Sequence, residues 1–390
     1  MSDWPRGRIG EVAEKVAMGP FGSSIKVDTF IERGIPIVSG QHLRGSRLDD
    51  TDFNFISEEH ASELINANVR RGDVILTHAG NIGQVAYIPE TSRYERYIIS
   101  QRQFYIRCNK EKILPEFLTY FLRSPEGQHL LLANSSQTGV PSIAQPVSYI
   151  RTVEVPTPPI SEQRVIIELL GQLDDKLESN RRRKETTLCL ADALYRRSIF
   201  EATLPCKVGQ IAEFHNRARR PLSAKQRSEM PGQYRYFGAT GVFDFVDSYL
   251  FDAVHVLVGE DGSVITADGS PVTQYVWGKY WVNNHAHVLS GKGVSDELLF
   301  LALRNADVRS AITGAVQAKL SMGNLKAVEL YLPDKGKLRV LEEQVSDLFA
   351  GLRVSEDESC LLEATRDTLL PGLISGRIRA LAAPEFVEAS

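Results

Sequence analysis

The chain has 390 residues, of which 43% are hydrophobic and 24% charged, enough apolar sequence for two or three globular domains. Its formal net charge of −4 excludes the strongly basic composition that marks many nucleic-acid-binding domains, so a contact to DNA must come from local clusters of charge. The sequence contains no apolar run of membrane-spanning length, no signal-peptide pattern at its start and no closely spaced cysteine pair, and we expect a cytoplasmic protein with reduced thiols.

The first domain, predicted over residues 1–157, begins with a glycine-rich turn at 19–24 followed by Lys26. Such a turn suits a phosphate, although glycines there are more often explained by turn geometry alone. A short buried strand at Ile35–Val38 leads into a polar loop. Further along, residues 71–77 and 85–89 form a predicted hairpin with a polar tip.

The second half of this domain contains one more strand, one helix and a closing strand. Residues 98–107 are predicted to be a single strand with polar residues near its start. Residues 114–133 alternate as an amphipathic helix, and a polar loop follows it. A short strand at 153–156 closes the domain.

A long helix is predicted within residues 158–203, with a pattern that reads from Pro158 to Phe200, Ser161 as its N-cap and no proline between Pro159 and Pro205. Apolar residues recur along one face at its two ends, while the middle of that face is polar. A helix of about 40 residues is roughly 60 Å long, because the rise is about 1.5 Å per residue.

The order of elements then repeats, which predicts a second domain at 204–333 and a second long helix at 334–379. The second helix shows the same face 175 residues later, again with apolar ends and a polar middle. The small, polar segment 380–390 is predicted to be disordered. The residues predicted to pack the two helices are Ile166, Leu170, Leu173, Leu177, Leu194, Leu341, Val345, Leu348, Leu352 and Leu369.

Polar and basic side chains recur at matching loops of the two copies, and their types suit base edges and phosphates. Arginine pairs with guanine, and asparagine or glutamine with adenine. The candidate DNA-contacting residues of the first copy are Ser23, Ser24, Lys26, Gln41, His42, Arg44, His78, Asn81, Gln101, Arg102, Gln103 and Gln137. Those of the second copy are Arg217, Arg219, Arg220, Lys225, Tyr234, Tyr236, Thr240, Asn283, Asn284, His285, Gln317 and Lys319.

Known catalytic motifs are missing from the sequence, including phosphate-binding loops, zinc helices, nucleophile elbows and adenine-methyltransferase loops. Glu260 and Asp261 resemble half of an acidic nuclease site, but such residues beside a glycine are more often explained by a polar turn. His285 and His287 could begin a metal site, although no cysteine lies nearby, and we predict no metal. The basic run at 181–184 is predicted to be solvated or to contact a partner.

Several stretches, taken in order, resemble the specificity subunit of type I restriction-modification systems. They are Gly-Pro-Phe-Gly-Ser at 19–23, Pro-Pro-Ile-Ser-Glu-Gln-Arg at 158–164, Tyr-Phe-Gly-Ala-Thr-Gly at 236–241, Gly-Glu-Asp-Gly at 259–262, Asn-Asn-His-Ala-His at 283–287 and Leu-Leu-Pro-Gly-Leu-Ile-Ser-Gly at 369–376. The resemblance covers nearly the whole chain. The second helix departs from the pattern, because Lys337-Leu-Arg339 replaces Glu-Gln-Arg.

This resemblance implies an α+β fold with two mixed α/β target recognition domains in a pseudo-two-fold tandem repeat, separated by two long antiparallel helices. Each domain would read one half of a bipartite, asymmetric site on double-stranded DNA. The chain itself would be non-catalytic and without a cofactor. Two modification subunits would methylate adenine with S-adenosylmethionine, and restriction subunits would use ATP and magnesium.

Two other functions fit parts of the sequence. The chain could be a self-sufficient nuclease or methyltransferase with a site around Glu260 and Asp261. It could also be a structural dimerisation module whose domains bind protein or glycan.

Overall fold

A computed structural model describes residues 4–20, 24–136, 139–201, 203–314 and 317–379 of the chain. The chain divides into two compact units. Unit 1 comprises residues up to Glu178 together with the segment that begins at Ser359, and unit 2 comprises Ser179–Glu358. Each unit therefore contains one α/β domain and part of each long helix.

Unit 1 begins with twelve strands and five short helices. Its strands are β1 (Arg6–Arg8), β2 (Ala13–Met18), β3 (Ile35–Val38), β4 (Asn54–Ile56), β5 (Asn68–Arg70), β6 (Asp73–Thr77), β7 (Val85–Tyr87), β8 (Arg96–Ile99), β9 (Gln103–Cys108), β10 (Ser135–Ser136), β11 (Ser142–Ile143) and β12 (Glu154–Pro156). Its short helices are α1 (Ile9–Val12), α2 (Glu58–Glu63), α3 (Pro115–Arg123), α4 (Pro125–Leu132) and α5 (Pro146–Thr152). The first long helix, α6 (Ile160–Glu201), follows.

Unit 2 repeats this order with fewer elements. Its strands are β13 (Thr203–Lys207), β14 (Ala212–Phe214), β15 (Pro231–Phe237), β16 (Val242–Val246), β17 (Phe251–Asp252), β18 (His255–Gly259), β19 (Thr273–Val276), β20 (Lys279–Val282), β21 (Ala286–Gly291) and β22 (Glu329–Pro333). Its short helices are α7 (Val208–Ile211), α8 (Ala224–Glu229), α9 (Asp296–Arg304) and α10 (Met322–Ala327), and the second long helix is α11 (Lys335–Ser375).

The sheets of the two units have the same topology. Unit 1 contains an antiparallel sheet of order β2-β9-β6-β7 and a mixed sheet of order β4-β3-β8-β5. Unit 2 contains their counterparts, β14-β21-β18-β19 and β16-β15-β20-β17. The parallel pair recurs as well, as β3 with β8 and as β15 with β20. The internal repeat inferred from the sequence is therefore a repeat of the fold.

The long helices contribute to the core of each unit. Ile166 and Leu170 are buried in the core of unit 1 together with Leu373 of α11. Leu341 and Val345 are buried in the core of unit 2. Of the other predicted packing residues, Leu352 is buried, and Leu173, Leu177, Leu194, Leu348 and Leu369 are half-buried.

Within each unit the two helices run antiparallel. In unit 1, Asp174 of α6 lies 3.4 Å from Arg366 of α11, while Leu170 and Leu373 share one core. The polar middle part of the helix pair is joined by a hydrogen bond: Asn180 Nδ2 of α6 donates to the Ser355 carbonyl of α11 at 3.2 Å. Asn180 and Ser355 are equivalent positions of the repeat, and both are 2% exposed.

The basic run on α6 forms ion pairs inside the chain. Arg181 lies 2.7 Å from Glu185, one helical turn away. Lys184 lies 2.9 Å from Glu356 of α11. These two cations are therefore engaged by carboxylates of the chain's own helices.

Three sequence predictions differ from the structure. The segment predicted as one strand at 98–107 forms two, β8 and β9, in different sheets, because a turn closed by the Gln103 N–H donating to the Ser100 carbonyl (3.1 Å) redirects the chain. The predicted helix at 114–133 is broken into α3 and α4, since Pro125 cannot donate and Ser124 accepts from the Gly127 N–H at 3.2 Å as an N-cap. Helix α6 begins at Ile160, which places Ser161 in its first turn and not at the cap.

Each long helix is attached to its domain at the N-cap of a short helix, α3 or α9, but by a different side chain. Gln163, fully buried, accepts from the N–H of Leu114, the N-cap residue of α3, at 2.8 Å. In the second copy Leu338 stands at the equivalent position and cannot accept a hydrogen bond. Glu342, one turn further along α11, accepts instead from the N–H of Ser295, the N-cap residue of α9, at 2.7 Å. The hydrogen bond that Gln163 makes in the first copy is thus made by Glu342 in the second.

Within the described ranges, no helix is long and apolar enough to cross a membrane.

Candidate nucleic-acid interface

Backbone hydrogen bonds bring several loops of unit 1 together at one edge. The His78 N–H donates to the Arg102 carbonyl at 2.9 Å, which joins the loop after β6 to the turn after β8. The Ile143 N–H donates to the His78 carbonyl at 2.8 Å, and the Gly80 N–H to the Pro141 carbonyl at 2.9 Å. Residues far apart in the sequence therefore form one continuous surface, which we call the loop edge of unit 1.

A chain of side-chain amides and hydroxyls adds the loop after β3 to this edge. Gln103 Nε2 donates to Thr77 Oγ1 at 3.3 Å, and Thr77 Oγ1 donates to Gln84 Oε1 at 3.2 Å. Gln84 Nε2 then donates to the Gly40 carbonyl at 3.0 Å. Because these groups are satisfied by one another, the loops are held in place before any ligand arrives.

Unit 2 has the same set of main-chain hydrogen bonds at equivalent positions. The Glu260 N–H donates to the His285 carbonyl at 2.8 Å, the Leu320 N–H to the Glu260 carbonyl at 2.9 Å, and the Gly262 N–H to the Ala318 carbonyl at 3.0 Å. The backbones of Asp261 and Lys319 form an isolated antiparallel β-bridge. It corresponds to the β-bridge between Ala79 and Ser142 in unit 1. We call this surface the loop edge of unit 2.

The predicted residues of unit 1 that are exposed at or near its loop edge are Gln41, Arg44, Asn81, Gln101 and Arg102. The apolar Val140, next to Pro141, is exposed there as well. His78 is half-buried, and burial lowers its pKa. Its ring N–H donates to the Gln101 carbonyl at 3.2 Å. This side chain therefore also connects the loop after β6 to the turn after β8.

Unit 2 presents a more mixed set of charges around its loop edge. The predicted residues Arg217, Arg220, Lys225, Thr240, Asn284, Gln317 and Lys319 are exposed. His285 is half-exposed, and its Nδ1 lies 2.5 Å from a carboxylate oxygen of Asp261. Asp261 and His285 stand where unit 1 has Ala79 and Arg102, so the same backbone positions carry different chemistry.

Two predicted residues of unit 1 lie in the interior, where they support loops. Gln103 is 1% exposed and belongs to the amide chain described above. His42 is 3% exposed and accepts from the Ser39 N–H at 2.9 Å, and its ring packs at a tilt against Phe53 with 4.4 Å between ring centroids. Burial also lowers the pKa of His42. The prediction that these side chains face DNA is therefore wrong. Both are buried, and they hold the loops of this edge in position.

Three predicted residues of unit 2 are placed in the same way. Tyr236 is 1% exposed, and its hydroxyl accepts from the Leu222 N–H at 2.9 Å. Asn283 is 7% exposed and accepts from the His285 N–H at 2.8 Å. The guanidinium of Arg219 donates to Glu260 at 2.8 Å and to the Ala286 carbonyl at 2.6 Å. All three side chains are engaged in hydrogen bonds inside the domain. They are therefore removed from the candidate DNA-contacting residues.

The remaining predicted residues lie elsewhere or outside the description. Ser24 and Lys26 are exposed, and the Ser24 carbonyl accepts from His60 of α2 at 2.8 Å. Tyr234 is half-buried against Tyr249, with 5.2 Å between ring centroids. Ser23, Gln137 and the segment 380–390 lie outside the described residues.

The acidic and histidine residues considered for catalysis or metal binding belong to the supporting network of unit 2. Glu260 is held by Arg219 and lies 3.5 Å from His287 Nδ1. His287 is fully buried, and its Nε2 donates to the Leu320 carbonyl at 2.8 Å. His285 instead pairs with Asp261. In the described part of the chain, no group of three or more His, Cys, Asp or Glu residues could hold a metal ion.

Sequence reasoning missed Gln84 and an aromatic strand. Gln84 connects two loops, but a lone glutamine in a polar loop gives no signal of that role. Phe243 and Phe245 of β16 are 66% and 51% exposed. Their alternation with Val242, Asp244 and Val246 was visible in the sequence as a strand with one aromatic face.

Comparison with known proteins identifies relatives along most of the chain. The family model described as type I restriction modification DNA specificity domain matches twice, at residues 1–187 and 205–347. The type I restriction enzyme MjaIX specificity subunit of Methanocaldococcus jannaschii is 20% identical over 97% of this chain and 94% of its own length. A putative type I restriction enzyme specificity subunit of Haemophilus influenzae is 32% identical over 32% of this chain.

The extent of these alignments differs. The chain covers 31% of the Haemophilus protein and 40% of a second Methanocaldococcus jannaschii relative, the putative MjaX specificity subunit. Among solved structures, the type I restriction-modification S subunit from M. genitalium is similar with a TM-score of 0.57 and 16% identity, covering 96% of both chains. That similarity shows a shared fold.

Proposed function

Because the chain belongs to the type I restriction modification DNA specificity family, we propose that it is the DNA-reading subunit of a type I restriction-modification complex. Each α/β domain contacts one half of a bipartite, asymmetric site on double-stranded DNA. The chain carries out no catalysis itself.

The observation that carries this proposal is the repeated loop frame. The same backbone hydrogen bonds recur at 78, 102 and 143 in unit 1 and at 260, 285 and 320 in unit 2. The side chains at the equivalent positions differ. Two rigid frames with different side chains are what reading two different half-sites requires, since specificity depends on loops held by a scaffold.

The exposed residues have the chemistry that base and phosphate contacts need. At the loop edge of unit 1, Arg102 can pair with guanine, and Asn81 or Gln101 with adenine, each good pair contributing about 1–3 kcal/mol of discrimination. Near the loop edge of unit 2, Arg217 and Arg220 can contact phosphates, while Asn284 can contact an adenine. The near-neutral charge of the chain fits a subunit that shares phosphate contacts with its partners.

The long helices are proposed to set the distance between the half-sites. Helix α6 has 42 residues and α11 has 41, so each is about 60 Å long. That length exceeds the roughly 34 Å between half-sites separated by one turn of DNA.

The proposal includes partners that supply the chemistry. Two modification subunits methylate adenine with S-adenosylmethionine, and restriction subunits use ATP and magnesium. The specificity subunit binds no cofactor of its own and recruits these partners to the site that it reads.

Mapping of methylated adenines tests the proposal. The modification subunits are expressed in a host with and without this chain, and methylated positions are located across the genome. We expect a single bipartite motif that appears only when the chain is present. Methylation that is independent of the chain, or methylation or cleavage by the purified chain alone, would contradict the proposed division of roles.

A further inference from the structure

Three equivalent positions of the two loop edges differ in chemistry together. In the first domain they hold Ala79, Ser142 and Arg102. In the second domain they hold Asp261, Lys319 and His285. An arginine is thus replaced by a histidine, and a carboxylate and a lysine are added beside it.

The added carboxylate is bonded to one ring nitrogen of the histidine. The distance from Asp261 Oδ1 to His285 Nδ1 is 2.5 Å. An ionised carboxylate only accepts hydrogen bonds, so the Nδ1 atom carries a proton and donates it. Asp261 therefore disfavours the tautomer whose only proton is on Nε2, because the bond at one ring nitrogen determines where the proton lies.

The other ring nitrogen of His285 is available to a ligand. The His285 side chain is 50% exposed, and in the described part of the chain no group is bonded to its Nε2 atom. An imidazole whose single proton is on Nδ1 has a lone pair on Nε2 that accepts a hydrogen bond. The pair of Asp261 and His285 therefore presents an acceptor at the loop edge of unit 2.

The charges beside this pair balance without a second proton on the ring. Lys319 stands directly opposite Asp261 in the antiparallel β-bridge, so the two side chains lie on the same face. The other carboxylate of this loop, Glu260, accepts from Arg219 at 2.8 Å. Two cations thus match two carboxylates, and an uncharged imidazole leaves the group without net charge.

The first domain presents only donors at the equivalent position. Arg102 is exposed, and a guanidinium cannot accept a hydrogen bond. Its Nη1 atom lies 3.3 Å from the place that a Cβ atom of Gly80 would take, so the arginine extends across this turn. No atom of the described residues lies within 4 Å of the same place at Gly262, where His285 is instead directed to Asp261.

We propose that His285 reads an amino group of adenine or cytosine in the major groove of the second half-site, and that Asp261 is the positioning residue that keeps its Nε2 atom an acceptor. At the equivalent place of the first half-site Arg102 donates to guanine, whose O6 and N7 atoms only accept. The two loop edges thus recognise opposite hydrogen-bonding groups with one backbone frame. This inference rests on the proposed function.

The test uses the full chain assembled with its modification subunits and measures binding to short duplexes that contain the methylated motif. His285→Ala first identifies the base pair that His285 contacts, as the position at which base preference relaxes. At that base pair one group is then removed at a time. Purine or 2-pyrimidinone removes the amino group, and a 7-deaza purine removes N7, so the result does not depend on which strand is contacted.

We expect loss of the amino group to weaken binding by the wild type about five- to tenfold and loss of N7 to leave it unchanged. The exchange variant Asp261→Ala/His285→Arg carries the side chains of the first domain. It should prefer a G·C pair at this position and lose affinity when N7 of that guanine is removed.

Asp261→Asn separates positioning from a structural role. An amide can accept from or donate to Nδ1, so both tautomers of His285 become available and guanine or thymine should be tolerated at this one position. A merely structural ion pair would instead weaken binding to all duplexes equally. Asp307→Asn removes the charge of another ion-paired carboxylate of unit 2 and should behave as the wild type. Thermal melting verifies that each variant is folded.

A wild type that depends on N7 and not on the amino group would show that the ring donates, and would overturn the inference. An equal loss on all duplexes with Asp261→Asn would do the same, as would the absence of a relaxed position with His285→Ala. Relaxed base preference with Asp307→Asn would also count against it. A wild-type complex that selects no motif would instead refute the proposed function itself.

Discussion

The two α/β domains of this chain share a backbone and differ in what that backbone presents. Equivalent N–H and carbonyl groups hold the loop edge in both units, at His78 and Arg102 in one and at Glu260 and His285 in the other. Since main-chain bonds fix the loops, the side chains at those positions are free to change. The comparison shows that the loop frame and the side chains presented on it are encoded separately.

The domains also differ in loop length, and this difference has a structural consequence. Side chains of long loops partly cover Phe53 and Phe55 in the first domain, while Phe243 and Phe245 are exposed in the second. A change in a surface loop is usually tolerated because its closure entropy varies slowly with length. Here it is accompanied by a difference in which aromatic side chains are exposed.

The largest expected effect tests whether the two units depend equally on their helices. Leu170 and Val345 are equivalent positions, both fully buried. Leu170→Asp and Val345→Asp should each lower the free energy of unfolding by roughly 3–5 kcal/mol, because a carboxylate without a partner enters an apolar core. Hydrogen exchange should show that each change loosens its own unit first.

Leu361→Asp is the control for this pair, since Leu361 lies on α11 but is 68% exposed. It should change stability by less than about 0.5 kcal/mol. Equal loosening of both units by either core variant would show that the helices couple the units more strongly than this account assumes.

The next effect compares the two helix anchors. Gln163→Ala removes an acceptor for Leu114 and donors to the carbonyls of Lys112 and Pro158, all near a buried side chain. We expect a loss of about 2–3 kcal/mol in a chemical denaturation experiment. Glu342→Ala removes a single acceptor from a half-buried site and should lose about 1 kcal/mol.

Glu342→Gln keeps an acceptor for the Ser295 N–H and should remain close to the wild type. If Glu342→Ala proved as destabilising as Gln163→Ala, the attachment of the second helix would depend on more than the one hydrogen bond identified here.

A smaller effect concerns the loop edges. Arg102→Ala and His285→Ala alter equivalent positions of the two frames, and each should relax base preference at one half of the methylated site. We expect about 1–3 kcal/mol of discrimination to be lost at one base pair, which methylation mapping detects as new permitted bases. Lys225→Ala, in the first turn of α8 and exposed, should leave the preferred bases unchanged.

The last comparison concerns a difference in acid sensitivity. Burial lowers the pKa of His255 to about 4, and its ring is hydrogen-bonded to the Tyr280 hydroxyl at 2.6 Å. Between about pH 6.5 and 4 the unfolded chain binds a proton that the folded chain does not, so unit 2 should lose stability as the pH falls through this range. Hydrogen exchange of unit 2 peptides should show this, and His255→Gln should reduce it.

Much of the architecture could be predicted from the sequence, because long periodic patterns and repeated motifs survive in a single chain. The two long helices begin and end within a few residues of the predicted positions, since their apolar spacing extends over many turns. The repeat of sheets was also foreseen. Short breaks were missed: Ser124-Pro125 divides a helix, and the polar turn at Ser100 separates two strands.

The candidate DNA-contacting surface could be predicted only in part. Sequence reasoning selected the loops, and the structure brings those loops together. Sequence reasoning could not distinguish an interior amide, such as Gln103 or Asn283, from its exposed neighbour, Gln101 or Asn284. A side-chain amide can bond to a base or to a group inside the protein equally well. Burial depends on neighbours from distant segments, and these are not visible in local sequence.

Exchange of one domain tests the central claim most directly. Residues 1–157 are replaced by the first domain of a relative that reads a different site, and methylated adenines are mapped in the presence of the same modification subunits. Separate encoding of frame and specificity predicts that one half of the bipartite motif changes while the other half and the spacing stay the same. A change in both halves would contradict it, as would an unchanged motif.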